Sequence, residues 1–204
     1  MVKKRKEARI AEILQAAVEE FSENGFAGAK IEAIAARAGV AKGTVYIYYN
    51  TKEEVFEAIV RDRISPVFKL ISGIVKLWPG SQAMLVKQII SRFYSEIVEN
   101  EERRMILKTL ISESARSEDL AKFYFQEILV PARKMFKSII KKGIKKGEFR
   151  DTPIVNEPII IVGPALMAAV WKMTFESAEK LNTKRWLEAH LDLVIHGLQN
   201  TDNS

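Results

Sequence analysis

The chain has 204 residues, 48% of them hydrophobic and 28% charged, with 32 Lys plus Arg against 26 Asp plus Glu for a net charge of +6, and no cysteine. That length and apolar fraction suit one substantial core or two modest ones and exclude a disordered chain, while the lack of Cys removes disulfides, thiolate nucleophiles and cysteine metal sites. Ten Gly and six Pro are too few for a turn-rich sheet fold, so the expectation is all-α.

Along the chain, Ile10, Ile13, Leu14, Ala17 and Phe21 recur at helical spacing and predict a first helix that Asn24-Gly25 stops. Met1 to Arg9 is basic, but the stretch after it carries Glu12, Glu19 and Glu20, so it reads as no export signal and a cytoplasmic protein is expected. Ile31, Ile34, Ala35 and Ala38 predict a short second helix closed at Gly39, and Ala41 to Tyr49 a third. A longer pattern starts at Lys52 and runs through Val55, Phe56, Ile59, Val60 and Ile64, where Pro66 must kink or stop it. After the break at Trp78-Pro79-Gly80, Ser81 is the expected cap of a helix carrying Val86, Ile89, Ile90, Phe93 and Ile97 on one face. Further helices are expected over about 102–115, over 117–146 with a kink at Pro131, over 153–178 as a helix apolar almost all round, and over 183–199. The total is about nine. The longest uncharged run, Pro158 to Trp171, is too short to span a bilayer, so no membrane role is expected.

Three short helices within the first fifty residues, the second and third joined by Gly39-Val40-Ala41, form a helix-turn-helix. The second helix of such a pair fits the major groove of DNA, which is about 12 Å wide, while the first crosses the backbone. The helix that follows the turn supplies Lys42, Thr44, Tyr46, Ile47 and Tyr48 outward, Val45 and Tyr49 inward, and a Gly43 that allows close approach to DNA. The residues Gly25-Phe26, Ile31, Ile34-Ala35, Ala38 to Tyr46, Tyr48-Tyr49 and Lys52-Glu53 resemble the N-terminal DNA-binding domain of the tetracycline-repressor (TetR/AcrR-like) family. The resemblance covers roughly residues 9–56. It implies an all-helical homodimer, usually a repressor, with a helix-turn-helix domain at 1–51 and a larger helical effector-binding and dimerisation domain at 52–204. Carried over by position, DNA contacts fall on Lys30, Lys42, Gly43, Thr44, Tyr46, Ile47, Tyr48 and Lys52, the last on phosphate. Lys30 departs from the hydroxyl residue common in relatives and cannot cap a helix N-terminus, and Tyr49 replaces a common Phe.

Each feature also has an ordinary reading. Tyr46, Tyr48 and Tyr49 are residue types that pack a small core with the hydroxyl outside, and Val2 to Lys6 is either a solvated end or a phosphate-binding arm. Lys141, Lys142, Lys145 and Lys146 read as a solvated helix C-terminus favoured by the macrodipole. With two His, no Cys, no Walker loop and no nucleophile elbow, neither an enzyme, a metal site nor a cofactor is expected. An effector pocket would be mainly hydrophobic, and its nominated walls are Phe93, Met105, Phe123, Met167 and Trp171, for a bulky apolar or amphipathic small molecule. The nominated dimer interface is Val170, Trp171, Leu187, Leu191, Val194, Ile195 and Leu198, because a helix apolar on every side needs a partner on both. The function expected is therefore a ligand-responsive regulator of a pseudo-palindromic operator on double-stranded DNA. The alternative is a helical interaction or scaffold protein without DNA binding.

Overall fold

The computed structural model describes residues 2–200, with side chains from Arg5 onward. The described residues form α1 (Val2–Gly28), α2 (Ile31–Arg37), α3 (Lys42–Tyr48), α4 (Lys52–Arg63), α5 (Ser65–Leu77), α6 (Gln82–Phe93), α7 (Glu101–Ser114), α8 (Glu118–Tyr124), α9 (Val130–Lys145), α10 (Gly163–Thr174) and α11 (Thr183–Leu198). Among them the extended pairing is confined to an isolated antiparallel bridge between Phe149 and Gln199. The chain divides into two compact units, one reaching Pro66 and taking in Met105–Tyr124, the other comprising Val67–Arg104 and the chain from Phe125.

In the first unit, the periodic face of α1 is the buried one: Ile13, Leu14, Ala17 and Phe21 are shielded together with Ile31, Ile34, Val45, Val55, Phe56, Ile59 and Val60. Burying each large side chain contributes about 1.5–3 kcal/mol, which fixes how α1 to α4 pack. Phe21, Phe26 and Phe56 form an aromatic trio with centroids 5.4–5.7 Å apart, placed by the break in α1 at Gly25. Thr51 caps α4 by accepting from the Glu54 N–H at 3.1 Å.

Prolines divide the helices of both units more finely than the apolar periods show. Pro66 sits in the first turn of α5, where its missing N–H costs nothing, so the pattern from Lys52 becomes two helices. The helix expected over 117–146 is α8, a π-helical turn Phe125–Leu129, and α9 with Pro131 in its first turn. A proline ring collides with the carbonyl four residues earlier, and the wider π turn around Glu127 absorbs that collision. The single helix expected over 153–178 is not formed. Pro153, Pro158 and Pro164 break it into 3-10 turns at Pro153–Val155 and Pro158–Val162, and α10 starts only at Gly163.

The second unit buries Leu85, Val86, Ile89 and Ile90 of α6 with Phe136, Ile139 and Ile140 of α9 and Ala165, Ala168 and Ala169 of α10. Ser81 caps α6 as expected, accepting from the Met84 N–H at 3.1 Å. A Cβ on Gly143 would stand 2.1 Å from the ring of the buried Phe149, so only glycine lets this ring close over α9. His190 of α11 is buried beside Tyr94, the first residue of the π turn Tyr94–Val98. Its Nε2 lies 2.8 Å from the Ile161 carbonyl, which can only accept, so Nε2 carries the proton and Nδ1 accepts from the Tyr94 hydroxyl at 3.1 Å.

Burial pushes the His190 imidazole below its ordinary pKa, partly offset by the bond to Ile161. The unfolded chain thus takes up this proton first, and the contribution is complete above about pH 6.5 and lost as pH falls below it. Melting temperature should fall between pH 7.5 and pH 5.5, and His190→Gln should flatten that slope. An equal slope in both proteins would remove His190 as its source.

Candidate nucleic-acid interface

The α2-turn-α3 unit is built by backbone. Gly39 adopts φ +63°, a left-handed conformation that costs a side-chain-bearing residue about 1 kcal/mol or more, and this turns the chain so that the Val40 N–H reaches the Ala35 carbonyl at 3.0 Å. Ala41 is extended and begins α3, with the Thr44 N–H on its carbonyl at 2.8 Å. Val45 is fully buried and anchors α3. The opposite face therefore points away from the core: Lys42, Gly43, Tyr46 and Ile47 are exposed, and Thr44, Tyr48 and Tyr49 are half-buried. Ile47 is 78% exposed and Tyr46 42%, which leaves both side chains available to a surface outside the chain. A Cβ on Gly43 would meet nothing within 4 Å, so packing inside this chain does not require glycine there.

Lys42 is paired with Glu32 of α2, and its ammonium stands 5.6 Å from the centre of the Tyr46 ring. The hydrogen bond to Lys42 holds the Glu32 carboxyl below its usual range and raises the Lys42 ammonium correspondingly. A phosphate arriving at Lys42 would replace Glu32, an exchange between two anions. Lys30 is exposed at the start of α2 and makes no side-chain cap. The buried carboxylate of Glu20 does that work from α1, accepting the Lys30 N–H at 3.4 Å and the Arg37 Nε at 3.1 Å. Glu20 and Arg37 escaped the reading of the sequence, although the signal exists: Glu20 lies on the same helical face as Ile13 and Ala17. Burial of a carboxylate requires a partner, and Arg37 supplies it.

Lys52 is tied inward. Its ammonium donates to the carbonyls of Ala27 and Ala29, each at 3.3 Å, and lies 4.7 Å from the centre of the Phe26 ring. Lys52→Met keeps the aliphatic stem and loses both bonds, so it should lower stability by about 1–2 kcal/mol. The salt dependence of DNA binding should change by well under one phosphate contact, and a slope reduced by about 1 would restore the phosphate role. The side chains of Val2, Lys3 and Lys4 lie outside the described residues; Lys6 stands 6.0 Å from the Tyr48 ring.

The nominated pocket residues are not gathered into one site. Phe123 packs under Arg61 of α4, 4.7 Å from the guanidinium carbon, and it and the half-buried Met105 belong to the first unit. Phe93, Met167 and Trp171 belong to the second. Trp171 lines a surface depression of about 500 Å³ with Trp186, Leu181, Ala189 and Leu193. Both indoles are fixed, Trp171 Nε1 donating to the Glu179 carbonyl at 2.8 Å and Trp186 Nε1 to that of Pro164 at 3.1 Å.

Of the nominated interface, Val194, Ile195 and Leu198 are buried within the chain's own core, and Val170, Trp171, Leu187 and Leu191 are half-buried. Large apolar side chains left in solvent here are Met167 on α10, Phe175 just past its end and Leu193 on α11, the last 65% exposed. Among the described residues no helix is long and apolar enough to cross a membrane, and no group of three His, Asp or Glu side chains is arranged to hold a metal.

Residues 13–59 match the family model described as bacterial regulatory proteins, tetR family. An uncharacterized HTH-type transcriptional regulator of Bacillus subtilis (strain 168), YdeS, is 30% identical over 157 residues, 74% of this chain and 73% of that protein. The fatty acid metabolism regulator protein of the same organism is 26% identical over 148 residues, covering 72% and 74% respectively. Among solved structures, the transcriptional regulator FadR from Bacillus subtilis in complex with stearoyl-CoA superposes with a TM-score of 0.76 over 92% of this chain and 98% of that one, at 23% identity.

Proposed function

The chain belongs to the tetR family of bacterial regulatory proteins, and from that premise we propose a ligand-responsive repressor that binds a pseudo-palindromic operator as a homodimer. The observation that carries the reading is the outward face of α3. Tyr46 and Ile47 stand in solvent, Thr44 lies between them and the core, and Gly43 is open to an external surface although its own chain would tolerate a side chain. Tyr46, Thr44 and Ile47 read bases, while Lys42, Tyr48, Lys30 and the backbone at Gly43 meet phosphate. Lys52 positions the connection between α1 and α2.

The dimer forms through exposed and half-buried apolar residues of α10 and α11: Met167 and Trp171 with Phe175 just beyond α10, and Trp186, Ala189 and Leu193 of α11. A two-fold axis lets this patch cover itself, which removes it from water in both copies. The effector is an apolar or amphipathic small molecule bound in the helical part of the chain after α4. The regulator of fatty acid metabolism among the relatives favours long-chain acyl compounds as the first to test.

Selection of genomic fragments on the purified chain tests the reading. Enrichment of a palindromic sequence, with binding that weakens steeply with salt, is expected. Fatty acids and acyl thioesters are then screened for a raised melting temperature and for operator release. By linkage, operator DNA must weaken effector binding by the same factor. A chain that enriches no fragment and shows no salt-sensitive duplex binding is instead a helical interaction protein.

A further inference from the structure

The positive charge of this protein is not concentrated where its DNA-reading helix lies. Residues 1–66 carry eleven basic and ten acidic side chains, whereas between Val130 and Gly147 there are seven basic residues and no acidic one. Two of the seven are compensated, Arg133 by Glu157 at 3.1 Å and Lys146 by Glu148 at 3.9 Å. Lys134, Lys137, Lys141, Lys142 and Lys145 have no carboxylate partner among the described residues. With Ser138 they line a furrow of about 430 Å³ on the side of α9 opposite its buried Phe136, Ile139 and Ile140.

The helix macrodipole accounts for only part of this row. Its effect fades within the last turn, so it favours Lys142 and Lys145 but not Lys134 and Lys137, two to three turns further back. Like charges three and four residues apart repel along the whole row, and no carboxylate among the described residues pairs with them. We propose that α9 is a second, sequence-independent phosphate-binding surface, separate from α3, whose partner is the backbone of a nucleic-acid duplex. From Lys134 to Lys145 the row rises about 16 Å, the length of roughly five phosphates along one strand. Every lining residue comes from one helix, so the furrow suits a line of charges lying along it and not a small ligand enclosed between walls. A membrane surface would need apolar side chains to insert beside the lysines, and the neighbouring Met135 and Ile144 are half-buried against the protein.

The test uses the full chain with α3 disabled by Gly43→Asp and Tyr46→Ala, so that loss of operator reading and loss of the α9 surface are separate results. This protein should still bind a 60-base-pair duplex of random sequence with strong salt dependence. Adding Lys137→Gln, Lys141→Gln and Lys145→Gln should lower the salt slope by about 2 to 3 and weaken binding at least tenfold at 0.1 M salt, with an unchanged helical circular dichroism spectrum. The single variant Lys141→Gln should lower the slope by about 1, and the same three positions changed to Arg should restore binding. An α3-disabled chain that ignores duplex, a slope unaltered by the three Gln substitutions, or sedimentation with phosphatidylglycerol vesicles in place of duplex binding would each overturn the proposal.

Discussion

Leu193→Glu is expected to yield a folded monomer, and Val194→Glu, one residue later on the same helix, an unfolded or aggregated chain. The two positions differ by about 100° around α11. Leu193 is 65% exposed, whereas Val194 is 8% exposed and packed in the core of its own unit. A carboxylate at 193 remains hydrated in the monomer and is buried only if a second copy covers it, so its cost falls on association. At 194 the charge is enclosed whatever the oligomeric state, at a cost of about 3 kcal/mol. That is a large share of the total stability of about 5–15 kcal/mol typical of a domain. Sedimentation with far-UV circular dichroism reads both effects. A Leu193→Glu dimer of unchanged affinity would remove α11 from the interface, and a soluble, fully helical Val194→Glu monomer would reverse the roles of the two faces.

Gly43→Ala should strengthen the fold and abolish tight operator binding. In the chain itself the added methyl meets open space, and alanine is favoured over glycine inside a helix by about 1 kcal/mol. In the proposed complex with DNA the same methyl would enter the contact between helix backbone and phosphate, where overpacking costs about 1–3 kcal/mol, roughly fivefold to 150-fold in affinity. Tyr46→Ala should lose about 1–2 kcal/mol of specific binding while leaving stability little changed, since its side chain lies outside the buried core. Opposite signs for stability and affinity at Gly43 are what distinguish a contact with DNA from a packing role. A variant as tight as the parent on its operator would show that α3 does not approach DNA through this turn.

The helix-turn-helix was legible because its signals are local. Apolar residues three and four apart and a glycine where the chain must turn left-handed report on a few consecutive turns. The structure places α2 to α4 within one or two residues of those expectations, with Val45 inward and Tyr46 and Ile47 outward, whereas α1 breaks at Gly25 as expected but resumes and runs on to Gly28. The prolines at 153, 158 and 164 were equally visible, yet the apolar run around them was read as one helix. Hydrophobicity shows that a segment is buried and says nothing of whether each backbone N–H has an acceptor.

What the sequence by itself determined is the fold class, the helix-turn-helix and, with them, the family. Tertiary structure decided every pairing between residues far apart in the chain. Lys52 is turned to the carbonyls of Ala27 and Ala29, Glu20 to Lys30 and Arg37, and His190 to Tyr94 ninety-six positions away. It also decided which side of α11 is core. Leu187, Leu191, Val194, Ile195 and Leu198 form a regular stripe, but Trp186, Ala189 and Leu193 beside it are apolar too, so the period admits more than one orientation. Only the packing of α11 against α6 and α10 selects one, because each helix offers several apolar faces and the packing buries just one of them.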